Sequence, residues 1–328
     1  MLQGWSRSAA NPSLLGPAVG DVGFEIAPMT KKLEDTQRRR RTDLERIARE
    51  ALAIEGEEAL QAGALGYMAR LLVQATMPHK DPGSSVNTFE RSNGGFRLSM
   101  MAPPKIGLPW GKCPRVLLCW LTTEAVRTRS PHLDLGESLS AFMHELGQIP
   151  TGGRWGTITR LRDQIRRLFS STVHCSYSGP GRFEDAGFLI ASRISLWWNP
   201  AAPDQPDLFG SFVELSTDFF NAIIDRPVPV DLRVLRALRS PLALDIYCWL
   251  TYRASYLRQP TEIPWPALAL QFGANYADPR KFRYSFLQQA KSVIRLYPDA
   301  RISEGPHGLV LSPASTHVAK RPHRLAAP

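Results

Sequence analysis

The side chains most able to do chemistry in this sequence are its seven histidines and four cysteines. A DNA-nicking enzyme needs a tyrosine nucleophile and a metal held by closely spaced histidines, but no His-x-His pair occurs. The cysteines never approach a Cys-x-x-Cys spacing, so neither a zinc ribbon nor a disulfide framework is indicated. His174 and Cys175 are neighbours, but they fall in a predicted strand, where alternation puts them on opposite faces. We therefore expect no catalytic residue and no metal.

Nucleotide-binding motifs are absent as well. A phosphate-binding loop requires the pattern GxxxxGK[ST], in which backbone amides surround phosphates and the final hydroxyl reaches magnesium. The nearest stretch, GLPWGKC over residues 107–113, is one residue short between its glycines and ends in cysteine. No GxSxG, HExxH or GxGxxG motif occurs. We expect a protein that is not an enzyme and that needs no cofactor, with a primase or nickase as a distant alternative.

The charge of the chain points to a polyanionic partner. Its 328 residues suit about two domains, and its formal net charge is +10. Residues 1–149 hold 18 basic and 16 acidic side chains, whereas residues 150–328 hold 22 and 14, so the second part carries +8 of the total. Nucleic acid is the first expectation and an anionic membrane surface the second.

A basic amphipathic helix is predicted over residues 154–170, which hold five arginines and one acid. At 100° per residue, one arc of this helix is apolar. It contains Ile158, Leu161, Ile165, Leu168 and Phe169. The opposite side carries Arg160, Asp163, Gln164 and Arg167.

A second basic helix is predicted over residues 279–297, which hold five basic residues and no acid. Its apolar stripe consists of Phe282, Phe286, Ala290, Val293 and Tyr297. The opposite side carries Arg280, Tyr284, Gln288, Lys291 and Arg295. Asp278 is a natural N-cap, Pro279 suits the first helical position, and Pro298 marks the end.

Both basic helices lie in the same order of predicted elements. A helix and a Gly-containing turn precede each one: GESLSAFMHELG with QIPTGG, and PWPALALQFG with GANYAD. A β-hairpin follows each one: TVHCSY with GFLIASRISLW, and ARIS with LVLS around the turn EGPHG. Helix, turn, basic helix and hairpin form a winged helix-turn-helix. The predicted fold is therefore α+β, mostly helical, with tandem winged helix-turn-helix domains. For either helix alone, a basic face that is only solvated is the alternative to a DNA-binding face.

Domain boundaries follow from these units. We predict a first winged-helix domain over residues 96–208, a second over 209–318 and a basic tail over 319–328. Residues 1–95 form a charged extension that is poorly ordered up to about residue 28 and contains a helix near 31–58. The tetrad Arg38–Arg41 in that helix could contact DNA or act as a localisation signal, but a solvated helix face is favoured.

Four separated stretches resemble a known family. They are IPTGGRWGTITRLRDQIRRLF, VPVDLRVLRALRSPLALDIYCWLTYR, IPWPALALQFG and GLVLSPASTHV. They are similar to the plasmid RepA replication initiators, of the broad-host-range type found on IncW-like plasmids. The resemblance covers roughly residues 100–318 and excludes the first 95.

The resemblance implies a function and a set of partners. Such initiators use two winged-helix domains to bind iterons, the repeated sites of a plasmid replication origin. The C-terminal domain contacts the major groove, while the N-terminal one contacts the DNA backbone and mediates dimerisation. Monomers help to open the origin and recruit host DnaA and the replicative helicase, whereas dimers repress their own gene and so take part in copy control.

These roles assign the candidate DNA contacts. Arg280, Lys281, Arg283 and Tyr284 are expected at base edges and nearby phosphates, Gln288 at adenine, and Lys291 and Arg295 at phosphates. In the first unit the candidates are Arg154, Arg160, Arg162 and Arg167. The hairpin Val173–Trp197 is the expected dimer surface.

One alternative shares nearly every physical feature, namely a winged-helix transcriptional repressor with no replication role. The sequence also shows no signal peptide and no apolar run near the ~20 residues that span a bilayer. We therefore expect a cytoplasmic protein of a plasmid-bearing bacterium that has no membrane partner.

Overall fold

A computed structural model describes residues 27–206, 209–273 and 276–319. The chain divides into two compact units, Met1–Leu44 and Glu45–Pro328. The first helix, α1, spans Ala27–Glu55 and corresponds to the helix predicted near residues 31–58. The predictions of poor order before residue 28 and of a basic tail after residue 319 lie almost wholly outside the described residues.

The second unit mixes helices and strands. After α1 the helices are α2 (Arg70–Gln74), α3 (Lys112–Thr128), α4 (Leu139–Glu145), α5 (Thr157–Phe169), α6 (Thr217–Ile224), α7 (Leu232–Ala237), α8 (Pro241–Ala254), α9 (Trp265–Phe272) and α10 (Pro279–Leu296). The strands are β1 (Leu65–Met68), β2 (Thr88–Asn93), β3 (Phe96–Met101), β4 (His132–Asp134), β5 (Thr172–Gly179), β6 (Arg182–Leu189), β7 (Ala191–Ser195), β8 (Phe212–Leu215), β9 (Val228–Asp231), β10 (Thr261–Pro264), β11 (Ile302–Glu304) and β12 (Gly308–Leu311). The fold is thus mixed α and β, and the expectation of a mostly helical chain is not confirmed.

The strands form antiparallel sheets that connect distant parts of the sequence. Their orders are β2-β3-β5-β6, β4-β8-β7, β10-β12-β11 and β1-β9. In β1-β9, Leu65 lies opposite Asp231, and in the four-stranded sheet Met100 lies opposite Val173. Strands before residue 102 therefore share sheets with strands after residue 170.

Polar residues begin several helices, among them the predicted N-cap Asp278. Side-chain oxygens of Ser138, Ser216, Asp231, Ser240 and Asp278 each accept a backbone N–H of the helix that follows. Such N-caps satisfy N–H groups that have no partner within the helix.

The order of helix, turn, basic helix and hairpin is present twice, as α4-α5-β5-β6 and as α9-α10-β11-β12. Two details differ from the sequence prediction. The strand predicted over residues 187–197 is divided, because β6 pairs with β5 while β7 pairs with β8 in another sheet. Strand β10 was not predicted, and it pairs with β12 along the second hairpin.

Residues 45–95 differ from the predicted extension, since they belong to the second compact unit. Leu72 and Val73 of α2 and Met68 of β1 are buried in its core. Ile47 and Ile54 of α1 are buried there too, so this end of the charged helix packs against the core. The boundary at residues 208 and 209 and the roles of the two halves stay predictions, although β7 and β8 pair across that boundary.

A cluster of aromatic rings fixes α10 against its neighbours. Phe286 is fully buried, and its ring centroid lies 5.5–6.4 Å from those of Trp249, Trp265, Phe272 and Phe282. Most of these pairs meet edge to face, a geometry that aromatic quadrupoles favour. The outer face of α10 is therefore held in a defined orientation by α8 and α9.

A buried ion cluster connects residues 77–79 to α3 and α8. Arg115 Nε and Nη2 donate to the two carboxylate oxygens of Asp245 at 2.7 and 2.8 Å, and His79 Nε2 lies 2.7 Å from Asp245 Oδ2. The remaining donors of Arg115 bond to backbone oxygens of Met77, Pro78 and Gly111. Burial alone would raise the pKa of Asp245, but Arg115 and His79 hold it below its ordinary value. Burial lowers the pKa of His79, so its ring is neutral near pH 7 and Nε2 donates.

Among the described residues, no helix is both long and apolar enough to cross a membrane.

Candidate nucleic-acid interface

The outer face of α10 is exposed and basic, as the sequence predicts. All seven predicted contacts on this helix are exposed: Arg280, Lys281, Arg283, Tyr284, Gln288, Lys291 and Arg295. The opposite stripe is buried, including Phe282, Ala290 and Val293. Tyr284 keeps 67% of its surface exposed, although an aromatic ring of this size usually gains free energy from burial.

The N-terminal end of α10 is fixed by its cap. Asp278 Oδ1 accepts the backbone N–H of Arg280 at 2.8 Å, and Pro279 occupies the first turn. The predicted start of this helix is confirmed, and its last residue, Leu296, is one residue before the predicted end.

Arg283 links α10 to both neighbouring elements. Its Nη2 donates to Glu304 Oε2 of β11 at 2.6 Å, and its guanidinium carbon lies 5.3 Å from the centre of the Trp265 ring of α9. About half of each side chain of the ion pair is exposed. The guanidinium is therefore held in place, and any contact with a base must share it with the Glu304 carboxylate.

The second hairpin is braced by β10. Glu262 Oε1 accepts the backbone N–H of His307 at 2.7 Å, which ties the hairpin tip to β10. A Cβ on Gly308 would lie 2.0 Å from the Ile263 oxygen, so only glycine fits where β12 meets β10. The tip exposes Glu304, Pro306 and His307 but no arginine or lysine.

The basic face of α5 differs in part from the prediction. Arg160 and Arg162 are exposed, but Gln164 is buried and accepts the Trp110 N–H at 2.9 Å. Arg167 keeps only 20% of its side chain exposed, because its Nε donates to Asp163 and its Nη1 to the Leu108 oxygen. The loop before α3 covers this side of the helix, which the period of 3.6 residues could not reveal.

Arg166 is an exposed basic residue that the sequence prediction missed. It lies four residues after Arg162, and side chains at this spacing are neighbours on a helix. Both arginines line a groove of about 440 Å³ between α5 and β7, together with Ile194 and Leu196. The spacing of Arg162 and Arg166 was the signal that could have identified the pair.

Arg154 lies in the turn before α5, which begins only at Thr157. Its guanidinium carbon lies 5.1 Å from the centre of the Trp155 ring, and both side chains are exposed. The predicted contact is thus on the surface, beside an aromatic residue that the prediction did not include.

The lysine of the stretch that resembles a phosphate loop, Lys112, bonds to backbone oxygens of the protein itself. Lys112 Nζ donates to the backbone oxygens of Arg236 and Leu238 at 3.1 and 2.6 Å. Burial, with the positive charges of Arg46 and Arg239, lowers the pKa of Lys112 to about 8. This lysine stabilises the C-terminal end of α7 and does not face an open loop.

The predicted strand pair His174 and Cys175 shows no activated nucleophile. His174 Nε2 lies 2.8 Å from Asp185 Oδ1, while burial raises the pKa of Cys175 to about 12. A nucleophilic cysteine needs a lowered pKa. Within residues 27–206, 209–273 and 276–319 there is also no group of three or more His, Cys, Asp and Glu side chains that could hold a metal.

Comparison with protein families adds an independent observation. Residues 108–264 match the family model of the plasmid encoded RepA protein. The resemblance to plasmid RepA proteins is confirmed. The RepA-like segment contains α5 and α8, whereas α10 lies beyond it. A comparison with curated proteins finds no match.

Two solved structures are similar to the chain at low identity. Both are crystal structures of domains 2 and 3 of RctB, one of them a selenomethionine derivative. Their identities to this chain are 12% and 13%, each with a TM-score of 0.47. The matches cover 72% and 73% of this chain and 94% of each RctB chain.

Proposed function

We propose that this protein is a plasmid replication initiator that binds iterons in origin DNA in a sequence-specific way and does no chemistry itself. The observation that carries the proposal is the match of residues 108–264 to plasmid encoded RepA protein. The exposed basic faces of α5 and α10 support it, because each follows a helix and a turn and precedes a hairpin.

In this proposal α4-α5-β5-β6 and α9-α10-β11-β12 belong to two tandem winged helix-turn-helix domains. The N-terminal half of α10 enters the major groove, where Arg280, Lys281, Arg283 and Tyr284 contact bases and nearby phosphates. Gln288 contacts adenine, while Lys291 and Arg295, further along the helix, contact phosphates.

The first winged-helix domain contacts the DNA backbone through Arg154, Arg160 and Arg162, and we add Arg166 because it is exposed beside Arg162. Arg167 is the weakest of the predicted contacts, since its guanidinium already bonds to Asp163 and Leu108. Its contribution would be to hold α5 in place.

The first test is a footprint on DNA flanking the gene, where direct repeats are expected to be protected. If binding neutralises about 6 to 10 phosphates, the logarithm of affinity falls with the logarithm of salt at a slope of roughly −5 to −9. A response that is flat in salt, or no protected DNA, would contradict the proposal.

The second test separates base contacts from phosphate contacts. Arg283→Ala is expected to cost about 1 to 3 kcal/mol of binding free energy on the protected repeat and much less on random DNA. Because this change leaves Glu304 without its partner, the double variant Arg283→Ala/Glu304→Gln isolates the loss of the DNA contact. The matched control is Arg127→Ala, because Arg127 is also an exposed arginine, on α3, that pairs with an acid, Glu124. Equal losses on both DNAs would reassign Arg283 to a phosphate contact.

A plasmid experiment distinguishes a replication initiator from a transcriptional repressor. We propose that the monomer helps to open the origin and recruits host DnaA and the replicative helicase, while the dimer represses the gene. A plasmid that carries this gene and its upstream repeats, and no other initiator, is expected to replicate in a suitable host. Failure to replicate with intact repression would favour the transcriptional repressor.

A further inference from the structure

The turn between α4 and α5 exposes two large apolar side chains. Trp155 keeps 79% of its surface exposed, the largest fraction for a large apolar side chain among the described residues, and Ile149 keeps 75%. Most tryptophan side chains bury far more of their surface. Neither residue contributes to the buried core of the protein.

This turn is tightly bonded, so the backbone that carries the exposed side chains is held in a fixed position. Thr157 N donates to Thr151 Oγ1 at 2.9 Å, Thr151 N donates to Thr157 Oγ1 at 2.8 Å, and Thr157 Oγ1 donates to the Ile149 oxygen at 2.7 Å. Thr159 Oγ1 also donates to the Gly153 oxygen at 2.9 Å. A rigid turn presents an aromatic ring to a partner with little loss of conformational entropy on binding.

The surroundings of Trp155 are basic. The Arg154 guanidinium carbon lies 5.1 Å from the centre of its ring, and Arg160 and Arg162 are exposed on the first turns of α5. Residues 146–162 contain no Asp or Glu. An aromatic ring among arginines is complementary to nucleic acid, because the base stacks on the ring while the guanidinium groups meet phosphates.

We propose that Trp155 stacks on a nucleobase of the bound DNA. The inference rests on the proposed function and deepens it. It names a base contact in the first winged-helix domain, which is otherwise assigned only to the DNA backbone. Trp155 is two residues before the first residue of α5, and in a helix-turn-helix the N-terminal end of the second helix comes closest to the bases.

Two sources could supply an unstacked base to Trp155. One is a strand that has separated from its complement, and the other is a kinked step of the duplex, into which an apolar side chain inserts. The chemistry of stacking is the same in both, and the choice of DNA probe distinguishes them.

The experiment measures the affinity of the full-length protein for the footprinted repeats as a duplex and for one strand of the same DNA. Trp155→Ala is expected to lose about tenfold in affinity on at least one of these probes, whereas Trp155→Phe keeps an aromatic ring and loses less than about threefold. Phe209→Ala, which removes another exposed aromatic ring (73% exposed), is the matched control and is expected to bind like the wild type. Equal melting temperatures for all variants would establish that each one folds.

Each outcome bears on the proposal. A loss confined to the single strand supports stacking on a separated strand, and a loss confined to the duplex supports insertion at a kinked step. Wild-type affinity of Trp155→Ala on both probes, or equal losses for Trp155→Ala and Trp155→Phe, would overturn stacking while the proposed function stands. A change in self-association without a change in DNA affinity would assign the turn to a protein interface, and this result would also overturn the stacking proposal. If the wild type binds neither probe, the proposed function itself fails.

Discussion

Gly156 lies at a position where a side chain does not fit. A Cβ there would approach the Thr151 oxygen to 2.1 Å and the Gly152 oxygen to 2.3 Å, far inside normal contact distance. Gly152, in the same turn, has no atom within 4 Å of the corresponding position. The two glycines therefore make a matched pair for testing the turn before α5.

We predict that Gly156→Ala lowers the free energy of unfolding by about 1 to 3 kcal/mol, because the turn must open to admit the new Cβ. It should also weaken DNA binding, since the backbone that carries Arg154 and Trp155 loses its fixed position. Urea unfolding and a binding titration measure the two effects. Gly152→Ala is expected to unfold like the wild type, and equal behaviour of both variants would contradict this account.

Loss of the Asp245 carboxylate should strongly destabilise the protein. It is the shared partner of Arg115 and His79 in the buried cluster. We predict that Asp245→Asn destabilises the protein by about 3 to 5 kcal/mol in urea unfolding, because Arg115 keeps its charge and loses its counterion. Glu184→Gln, which breaks an exposed ion pair with Arg182, should leave the unfolding midpoint unchanged. A small effect at Asp245 would mean that the cluster contributes little to stability.

Two histidines make stability depend on pH. Burial lowers the pKa of His79 and of His317, and the His317 ring accepts a hydrogen bond from Tyr247. The unfolded chain takes up their protons near pH 6.5 while the folded chain does not. Stability should therefore fall as the pH decreases below about 6.5, by up to about 1.4 kcal/mol per pH unit for each histidine. The double variant His79→Gln/His317→Gln should show a flatter dependence of the unfolding free energy on pH between pH 7 and pH 5, and an unchanged dependence would contradict this account.

At the scale of elements, β6 is the clearest candidate for the predicted dimer surface. It is an edge strand of the sheet β2-β3-β5-β6, and each of its residues except Phe188 is exposed. Phe183 keeps 72% of its surface exposed. An edge strand has backbone groups that can pair with a second chain.

We predict that Phe183→Lys shifts the monomer–dimer equilibrium toward the monomer, because a charge on an edge strand opposes pairing with another edge. Sedimentation velocity over a range of concentrations measures the shift. Leu270→Lys on α9, another exposed apolar position, is the control. An unchanged equilibrium in Phe183→Lys would place the dimer surface elsewhere.

At the scale of the whole molecule, the N-terminal segment divides between the two compact units. Residues 1–44 form the first unit, whereas β1, α2, β2 and β3 belong to the second. Removing residues 1–44 should therefore leave the cooperative unfolding of the second unit intact. Removing residues 1–95 deletes β1 and β2, makes β3 an edge strand and leaves β9 without its pairing strand, so it should give an aggregating protein.

Calorimetry and light scattering of the two truncated proteins check this prediction. A soluble, cooperatively unfolding protein that lacks residues 1–95 would show that the extension ends at residue 95, as the sequence predicts.

The sequence predicted the local features of this protein well. The N-cap Asp278, the apolar stripe of α10 and the order of helix, turn, basic helix and hairpin depend on neighbouring residues, and these features are present in the structure. The family resemblance followed from motifs that are continuous in the chain.

Only the tertiary structure decided which of these residues are available to a partner. Helical periodicity placed Arg167 and Gln164 outside, but the loop before α3 covers them, and Arg166 takes their place on the surface. The pairing of β1 with β9 and the cluster of His79, Arg115 and Asp245 join residues more than a hundred positions apart. Periodicity describes one helix or strand by itself, whereas burial and pairing depend on what packs against it. The sequence alone thus determined the two basic helices and the order of helix, turn, basic helix and hairpin around each, and packing determined which faces of these helices remain exposed.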